Sequence, residues 1–200
     1  RLYVHIADVT EYVKEGGAID NDALKRGTSV YFSDRVIPML PEILCNDVCS
    51  LVEGKERLVL SCIIDYSAAG EVTSKRISEG VIRSAARTTY DEIYSFFRGD
   101  AAMREKYSFL EEMLSAAEEL YRILNKKRLE SGSIEFDFIE TEITVDEKGE
   151  VTDVRAAERN DAHRLIEEFM LAANAAVASL YDRIGIPMVY RVHAAPPPEK

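Results

Sequence analysis

Apolar residues alternate with polar ones along a stretch in the first half of the chain. Every second position there is apolar or aromatic: Leu58, Leu60, Cys62, Ile64 and Tyr66. Side chains with a period of two share one face of a strand, so this stretch predicts a half-buried β-strand. A turn at Gly70 and a β-prone run over residues 72–85 follow, and together they predict a long hairpin. The chain also opens on a β-prone run, which predicts a first strand ending near residue 9.

A helical spacing begins near Thr89. Apolar residues then recur at intervals of four and three: Leu110, Leu114, Ala117, Tyr121 and Leu124. This stripe predicts an amphipathic helix that stops at Gly132. A last long helix is predicted between an N-cap at Asn160 and a stop at Gly185. Its predicted buried face consists of Ile166, Met170, Ala173, Val177 and Leu180.

Shorter patterns complete the predicted order of elements. "AIDNDALKRG" predicts a short helix with Asp20 as N-cap and Gly27 as its stop. Strands are predicted in "TSVYF", "SIEFDF" and "IPMVYRVH", and a hairpin in "TEITVDEKGEVTDVRAA". Strands, helices, strands, a helix and a strand indicate one α+β domain, with a mixed or largely antiparallel sheet and long amphipathic helices.

The composition is typical of a globular protein, with 46% hydrophobic and 30% charged residues. No apolar run approaches the roughly 20 residues of a membrane helix, so no membrane partner is expected. The net charge of −11 by itself opposes binding to nucleic acid, whose phosphates favour basic patches. Three cysteines favour a cytoplasmic location over a disulfide framework.

No metal ligand is assigned from the sequence. Cys45 and Cys49 lie four positions apart, on one face of a predicted short helix, but the three histidines are scattered. The two cysteines are therefore interpreted as small buried hydrophobic side chains rather than as zinc ligands.

Three clusters could contact a ligand, although the residues alone favour a structural role for each. Tyr31 lies between Arg26 and Arg35, and an exposed tyrosine among arginines could stack on a base; a core tyrosine is the favoured interpretation. Phe136 shares a strand face with a second phenylalanine, which is usually core packing. Glu167 lies beside the apolar stripe of the last helix and could accept hydrogen bonds from a ligand.

Four blocks of sequence resemble the catalytic RNB domain of the ribonuclease II and ribonuclease R family. They are "VHIADVTEYVKEGGAIDNDALKRGTSVYFSDRVIPMLPEILCNDVCSL", "GSIEFDF", "RLIEEFMLAAN" and "YRVHAAPP". They occur in the family's order and span almost the whole chain. The form "TSVYFSDRVIPMLPE" is more similar to the ribonuclease R branch.

The resemblance implies a processive 3′–5′ exoribonuclease that hydrolyses single-stranded RNA to nucleoside 5′-monophosphates. The family holds Mg²⁺ with an aspartate cluster, D-x5-D-x-D-D, which normally precedes the "VHIADV" strand and which this chain does not contain. We therefore expect residues 1–200 to be the middle of an RNB domain, without the flanking cold-shock and S1 domains. We expect no Mg²⁺ bound to this fragment, no activity from it alone, and self-association through surface exposed by truncation.

Four residues take family roles from matching motifs. Tyr31, in "GTSVY", matches the tyrosine that stacks near the RNA 3′ end and helps to set the length of the final product. Phe136, in "SIEF", matches the aromatic that clamps the stacked bases. Tyr90, in "TTYDEI", and Glu167, in "LIEEFM", match residues that select RNA over DNA. Asp8, Asp20 and Asp34 receive no metal role, because their spacing does not fit the cluster. The alternative hypothesis is a non-catalytic RNB-like module that binds RNA or protein.

Overall fold

The computed structural model describes residues 1–32, 35–133, 141–146, 149–156 and 159–192. Within them a three-stranded antiparallel sheet has the order β1-β4-β5, with β1 at Leu2–Ala7, β4 at Glu56–Tyr66 and β5 at Val72–Arg83. Two small antiparallel pairs are β2 (Val30–Tyr31) with β3 (Val36–Ile37), and β6 (Thr141–Val145) with β7 (Val151–Ala156). The helices are α1 (Ala18–Arg26), α2 (Tyr90–Phe97), α3 (Ala101–Lys106), α4 (Glu111–Glu130) and α5 (Asp161–Ile184). The predicted α+β class and both predicted hairpins are confirmed.

The second half of the central strand β4 is more buried than its alternating pattern predicts, whereas Leu58 and Leu60, on the predicted buried face, are exposed. Ile64 is 0% exposed and faces α5, where it packs with Leu2 and Ala173. Val59, on the opposite face of the strand, is only 1% exposed. Because β4 lies between β1 and β5 and both its faces are covered in its second half, the half-buried prediction is wrong there.

The long helix α5 lies against this sheet with a face that matches the predicted one in its second half, where Ala173 is buried and Val177 packs against the core, but not in its first half. Its N-cap at Asn160 and its stop at Gly185, which has a φ of 68°, are as predicted. Ile166 and Met170, however, are exposed, whereas Leu165 and Glu168 are buried. The buried face is rotated toward Glu168 because that carboxylate forms an ion pair with an arginine of α4, described below.

A second core joins α2, α4 and the start of α5. Ile93 and Phe96 of α2 pack there with Leu114 of α4 and Ala162 of α5. The predicted apolar stripe of α4 is confirmed by the burial of Leu114 and Tyr121. This core determines how the N-terminal ends of α2 and α5 meet.

Three local predictions are wrong. The N-cap of α1 is Gly17, and Asp20 lies inside the first turn, where its carboxylate accepts a hydrogen bond from the Gly16 N–H at 2.8 Å. Cys45 is exposed rather than buried, in a π-helical turn at Leu44–Val48. Residues 186–192 form no strand, because no described strand pairs with them. The strand predicted in "SIEFDF" lies almost wholly outside the described residues.

Candidate functional site

A cleft of about 1440 Å³ lies between β1, the start of α2 and the facing sides of α4 and α5. Its walls are mainly apolar, and they include Tyr90, Phe109, Met113 and Ile166. β1 borders it because this strand is at the edge of the sheet. The cleft therefore joins the two cores, and it is large enough for a ligand of several rings.

Tyr90 is the first residue of α2 and stands at the mouth of this cleft. Thr89 caps the helix and forms a capping box with Glu92, which fixes the backbone at Tyr90. The Tyr90 ring stacks on the imidazole of His163, with ring centroids 3.9 Å apart and planes 22° apart. Tyr90 is nevertheless 45% exposed, so part of the ring remains available to a ligand.

His163 is itself held by the cap of α5. Its Nδ1 lies 2.9 Å from Oδ1 of Asn160 and 3.4 Å from the backbone N of Asn160. The Asn160 side chain is buried, and its Nδ2 donates to Oδ1 of Asp91 at 3.4 Å. Asp91 follows Tyr90 in α2, so four side chains connect the N-terminal ends of two helices.

Glu167 lies one helical turn after His163, on the same side of α5, since residues four apart are neighbours on a helix surface. It is partly exposed, and its Oε2 accepts a hydrogen bond from Arg159. A carboxylate has about four acceptor positions, so this bond leaves capacity for a ligand hydroxyl.

The next residue, Glu168, lies about 100° further round the helix and is buried. Its Oε1 accepts from Nε of Arg128, whose Nη1 also donates to Ser133 Oγ at 2.9 Å. This ion pair ties the end of α4 to α5 and sets the rotation that leaves Glu167 partly exposed. Sequence reasoning missed both Arg128 and His163. The signal for His163 is its position three residues after the Asn160 cap, which is the reciprocal position of a capping box.

Tyr31 is presented in a different way. It ends β2, pairs with Val36 of β3, and is 77% exposed, so a core role is wrong. Its neighbour Phe32 receives a cation–π contact from Arg35, whose guanidinium carbon lies 5.2 Å from the ring centroid. Arg26 is held by Asp22, with 2.8 Å between nitrogen and oxygen.

Of the four predicted site residues, Tyr90 lines the cleft and stacks on His163, one helical turn before Glu167 on α5. Glu167 and Tyr31 do not line the cleft, and Tyr31 stands on its own hairpin. Phe136 lies outside the described residues.

Two carboxylates near the cleft are strongly stabilised in their charged forms. A hydrogen bond from Lys106 and a second from Tyr107 Oη, at 2.7 Å, hold the pKa of Glu92 at about 2. Arg1 and Ser74 lower the pKa of Asp65 to about 2. Glu92 therefore stays ionised at neutral pH and anchors α3 to the helix that carries Tyr90.

The part of the chain that the structure describes does not offer a magnesium site. Within it, no group of three or more His, Cys, Asp or Glu side chains converges in a way that could hold a metal ion. Asp8 is buried, but its Oδ1 accepts from Thr10 Oγ1 at 2.6 Å and caps a turn. Asp34 lies outside the described residues. The donor set therefore does not fit Mg²⁺.

None of the described helices is both long and apolar enough to cross a membrane.

Comparison with known proteins gives a consistent result along the whole chain. The RNB domain family matches residues 1–200. Ribonuclease R of Aquifex aeolicus is 46% identical over 200 residues, which are 100% of this chain and 28% of that protein. The structure of Mycoplasma genitalium RNase R in complex with ribose methylated single-stranded RNA aligns with a TM-score of 0.88 and 31% identity. That alignment covers 96% of this chain and 30% of the other.

A second structure of the Mycoplasma genitalium enzyme, in complex with double-stranded RNA, also aligns with a TM-score of 0.88 and 31% identity, over 96% of this chain and 34% of the other. The chain spans less than a third of the length of the curated relatives it matches.

Proposed function

The chain belongs to the RNB domain family, and on that basis we propose that it is part of the catalytic domain of a 3′–5′ exoribonuclease. The proposed reaction is the processive hydrolysis of single-stranded RNA to nucleoside 5′-monophosphates. One observation carries the proposal: similarity to ribonuclease R, at 46% identity, extends over all 200 residues.

The geometry supports two separate roles in RNA binding. Tyr31 is the base-stacking residue near the 3′ end, since its ring is exposed and every base offers a flat face to an aromatic side chain. Phe136 is proposed to clamp the stacked bases against Tyr31. Tyr90 and Glu167 select RNA, because a hydroxyl and a carboxylate can each hydrogen-bond a 2′-hydroxyl, the group that DNA lacks.

Mg²⁺ is proposed for the whole protein and not for residues 1–200. The described side chains do not converge on a metal, so we assign no reaction step within this chain to the ion. The same proposal places much of the basic RNA-binding surface outside these residues, which reconciles the net charge of −11 with an RNA substrate. A cytoplasmic location is part of the proposal.

Self-association of residues 1–200 is proposed through the apolar wall of the cleft. Phe109, Met113 and Ile166 are exposed large side chains that line it, and contiguous apolar surface of this kind favours association. Sedimentation across a range of concentrations tests this, and a monomer at high concentration contradicts it.

The enzymatic proposal is tested with the product of the complete gene and with residues 1–200 alone. Each is incubated with Mg²⁺ and a single-stranded RNA labelled at its 5′ end, and the release of nucleoside 5′-monophosphates is followed. We expect the complete product to shorten the RNA from its 3′ end and residues 1–200 to release nothing. Release by residues 1–200 contradicts the assignment of the metal site to other residues. Binding without cleavage by the complete product favours the non-catalytic alternative.

A further inference from the structure

His163 has a position that its role as a helix cap does not require. A capping box needs only a side chain that reaches back to the N-cap residue, and in the usual motif this side chain is glutamate or glutamine. Here the imidazole also covers one face of Tyr90 at a centroid distance of 3.9 Å. The imidazole ring therefore contacts Tyr90 in addition to completing the capping box.

The contacts around His163 form a closed loop. Tyr90 stacks on His163, His163 bonds to Asn160, Asn160 bonds to Asp91, and Asp91 is covalently next to Tyr90. In a loop of this kind no member can rotate without breaking a contact to another. Since Asn160 is buried, the loop is fixed to the protein interior, and it holds an otherwise half-exposed tyrosine ring in one plane.

The loop also ties Tyr90 to the helix that carries Glu167. His163 and Glu167 are four residues apart on α5, so their Cβ atoms are about 5–6 Å apart on one side of the helix. A ring stacked on His163 is therefore attached to α5 one turn before Glu167, although Tyr90 itself is on α2.

We propose that His163 is a positioning residue that fixes the Tyr90 ring to α5, one turn before Glu167, and thereby sets the preference for RNA over DNA. This rests on the proposed function, in which Tyr90 and Glu167 contact a ribose. A site built to hydrogen-bond a hydroxyl discriminates only if its groups are held where the hydroxyl will lie.

Two variants separate the ring of His163 from its cap. His163→Gln keeps a side chain suited to the capping box and removes the ring, whereas His163→Phe keeps a stacking ring and removes the acceptor of the reciprocal capping-box bond. Dissociation constants for an RNA and for its 2′-deoxy counterpart are measured in EDTA with the complete gene product. We expect the ratio of DNA to RNA dissociation constants to fall about fivefold in H163Q, the effect of one lost hydrogen bond. H163F keeps the ratio.

Thermal unfolding of residues 1–200 is the second measurement, and the two variants should rank in the opposite order there. H163F should lower the unfolding midpoint more than H163Q, because it loses the reciprocal hydrogen bond from the Asn160 backbone N–H that completes the capping box. Asp100→Ala is the matched control: it removes the α3 cap, whose carboxylate accepts from the Met103 N–H at 2.9 Å, and is expected to lower the midpoint without changing the ratio. A second ring-free variant, His163→Leu, replaces H163Q if that variant does not fold.

The outcomes distinguish this inference from the function on which it rests. An unchanged ratio in the ring-free variants, with a wild-type protein that prefers RNA, overturns the role of His163 and leaves the proposed function intact. A ratio that follows the unfolding midpoint in every variant also overturns it, since that pattern marks a purely structural residue. A wild-type protein that shows no preference for RNA overturns the selection role of Tyr90 and Glu167 itself.

Discussion

Two tyrosines that resemble RNA-contacting residues are presented by very different parts of the molecule. Tyr90 begins a helix that is packed into a core, and its ring is stacked on His163. Tyr31 ends a two-residue strand and is 77% exposed. The first ring is held by tertiary contacts, whereas the second depends on a short hairpin whose strands Val30–Tyr31 and Val36–Ile37 are exposed.

The difference corresponds to two kinds of recognition. Stacking on a base tolerates some freedom of the ring, because the contact is broad and has little directional preference. Hydrogen bonding to a single hydroxyl requires a donor or acceptor at a defined place. A loosely held Tyr31 and a firmly held Tyr90 are therefore suited to sequence-independent stacking and to sugar selection, respectively.

The largest expected effect compares the scaffolds of the two tyrosines through one substitution in each. Ile93→Ala leaves a cavity in the second core, against which the Tyr90 helix packs, and should reduce the free energy of unfolding by about 3 kcal/mol. Ile37→Ala, in the exposed strand that pairs with the Tyr31 strand, should cost less than about 1 kcal/mol. Urea unfolding of both variants measures this, and equal losses would show that the hairpin belongs to the core.

The next effect concerns the rotation of α5. Glu168→Ala removes the buried carboxylate that pairs with the mostly buried Arg128, and breaking a buried pair costs about 3 kcal/mol. Glu118→Ala breaks the Arg122 pair of α4, in which Arg122 is largely exposed, and should cost about 0.5 kcal/mol. Urea midpoints measure both losses. Similar midpoints for the two variants would mean that the Arg128 pair does not orient α5.

Local pattern predicted the elements of this fold well, but not the contacts between them. The β4–β5 hairpin and the Asn160 cap follow from neighbouring residues, and both are correct. The rotation of α5 depends on Arg128, forty residues from Glu168, and no periodicity within α5 reveals it. The strand predicted over 186–193 failed over its described part because β-prone residues need a partner strand, and none of those described lies beside it.

The site was predicted by resemblance rather than by residue type. Composition alone favoured a core role for Tyr31, yet its ring is exposed. The apolar stretch "TSVYF" that carries it pairs only with the short strand β3, in a hairpin separate from the main sheet. The stack of Tyr90 on His163 joins residues on two helices, α2 and α5, and only the packing of the second core brings them together.

A third comparison separates stacking from sugar selection directly. Tyr31→Ala should weaken RNA and DNA binding alike by about 1–3 kcal/mol, since the lost stack lies on the base. Tyr90→Phe keeps the stack on His163, removes one hydroxyl, and should weaken RNA binding alone by about 1 kcal/mol. Titration of an RNA and of its 2′-deoxy counterpart with the complete gene product measures the change in dissociation constant for each variant and each oligonucleotide. A loss of RNA preference in Tyr31→Ala would reverse the two assignments.

The smallest effect is acid sensitivity on the Tyr90 side of the molecule. Glu92 is ionised in the folded chain down to a pKa of about 2, against an ordinary value of 4.5. Its favourable contribution to folding is therefore complete above pH 4.5 and is lost as the pH falls toward 2. Glu92→Gln removes that dependence, so its free energy of unfolding should change less than the wild-type value between pH 4.5 and 2.5.

NMR on the wild-type chain links this acid sensitivity to Tyr90. Between pH 4.5 and 2.5 the ring signals of Tyr90 should shift before those of Tyr31, because Glu92 forms the capping box of the helix that Tyr90 begins. Simultaneous shifts of both rings would mean that acid unfolds the hairpin and the helix as one unit.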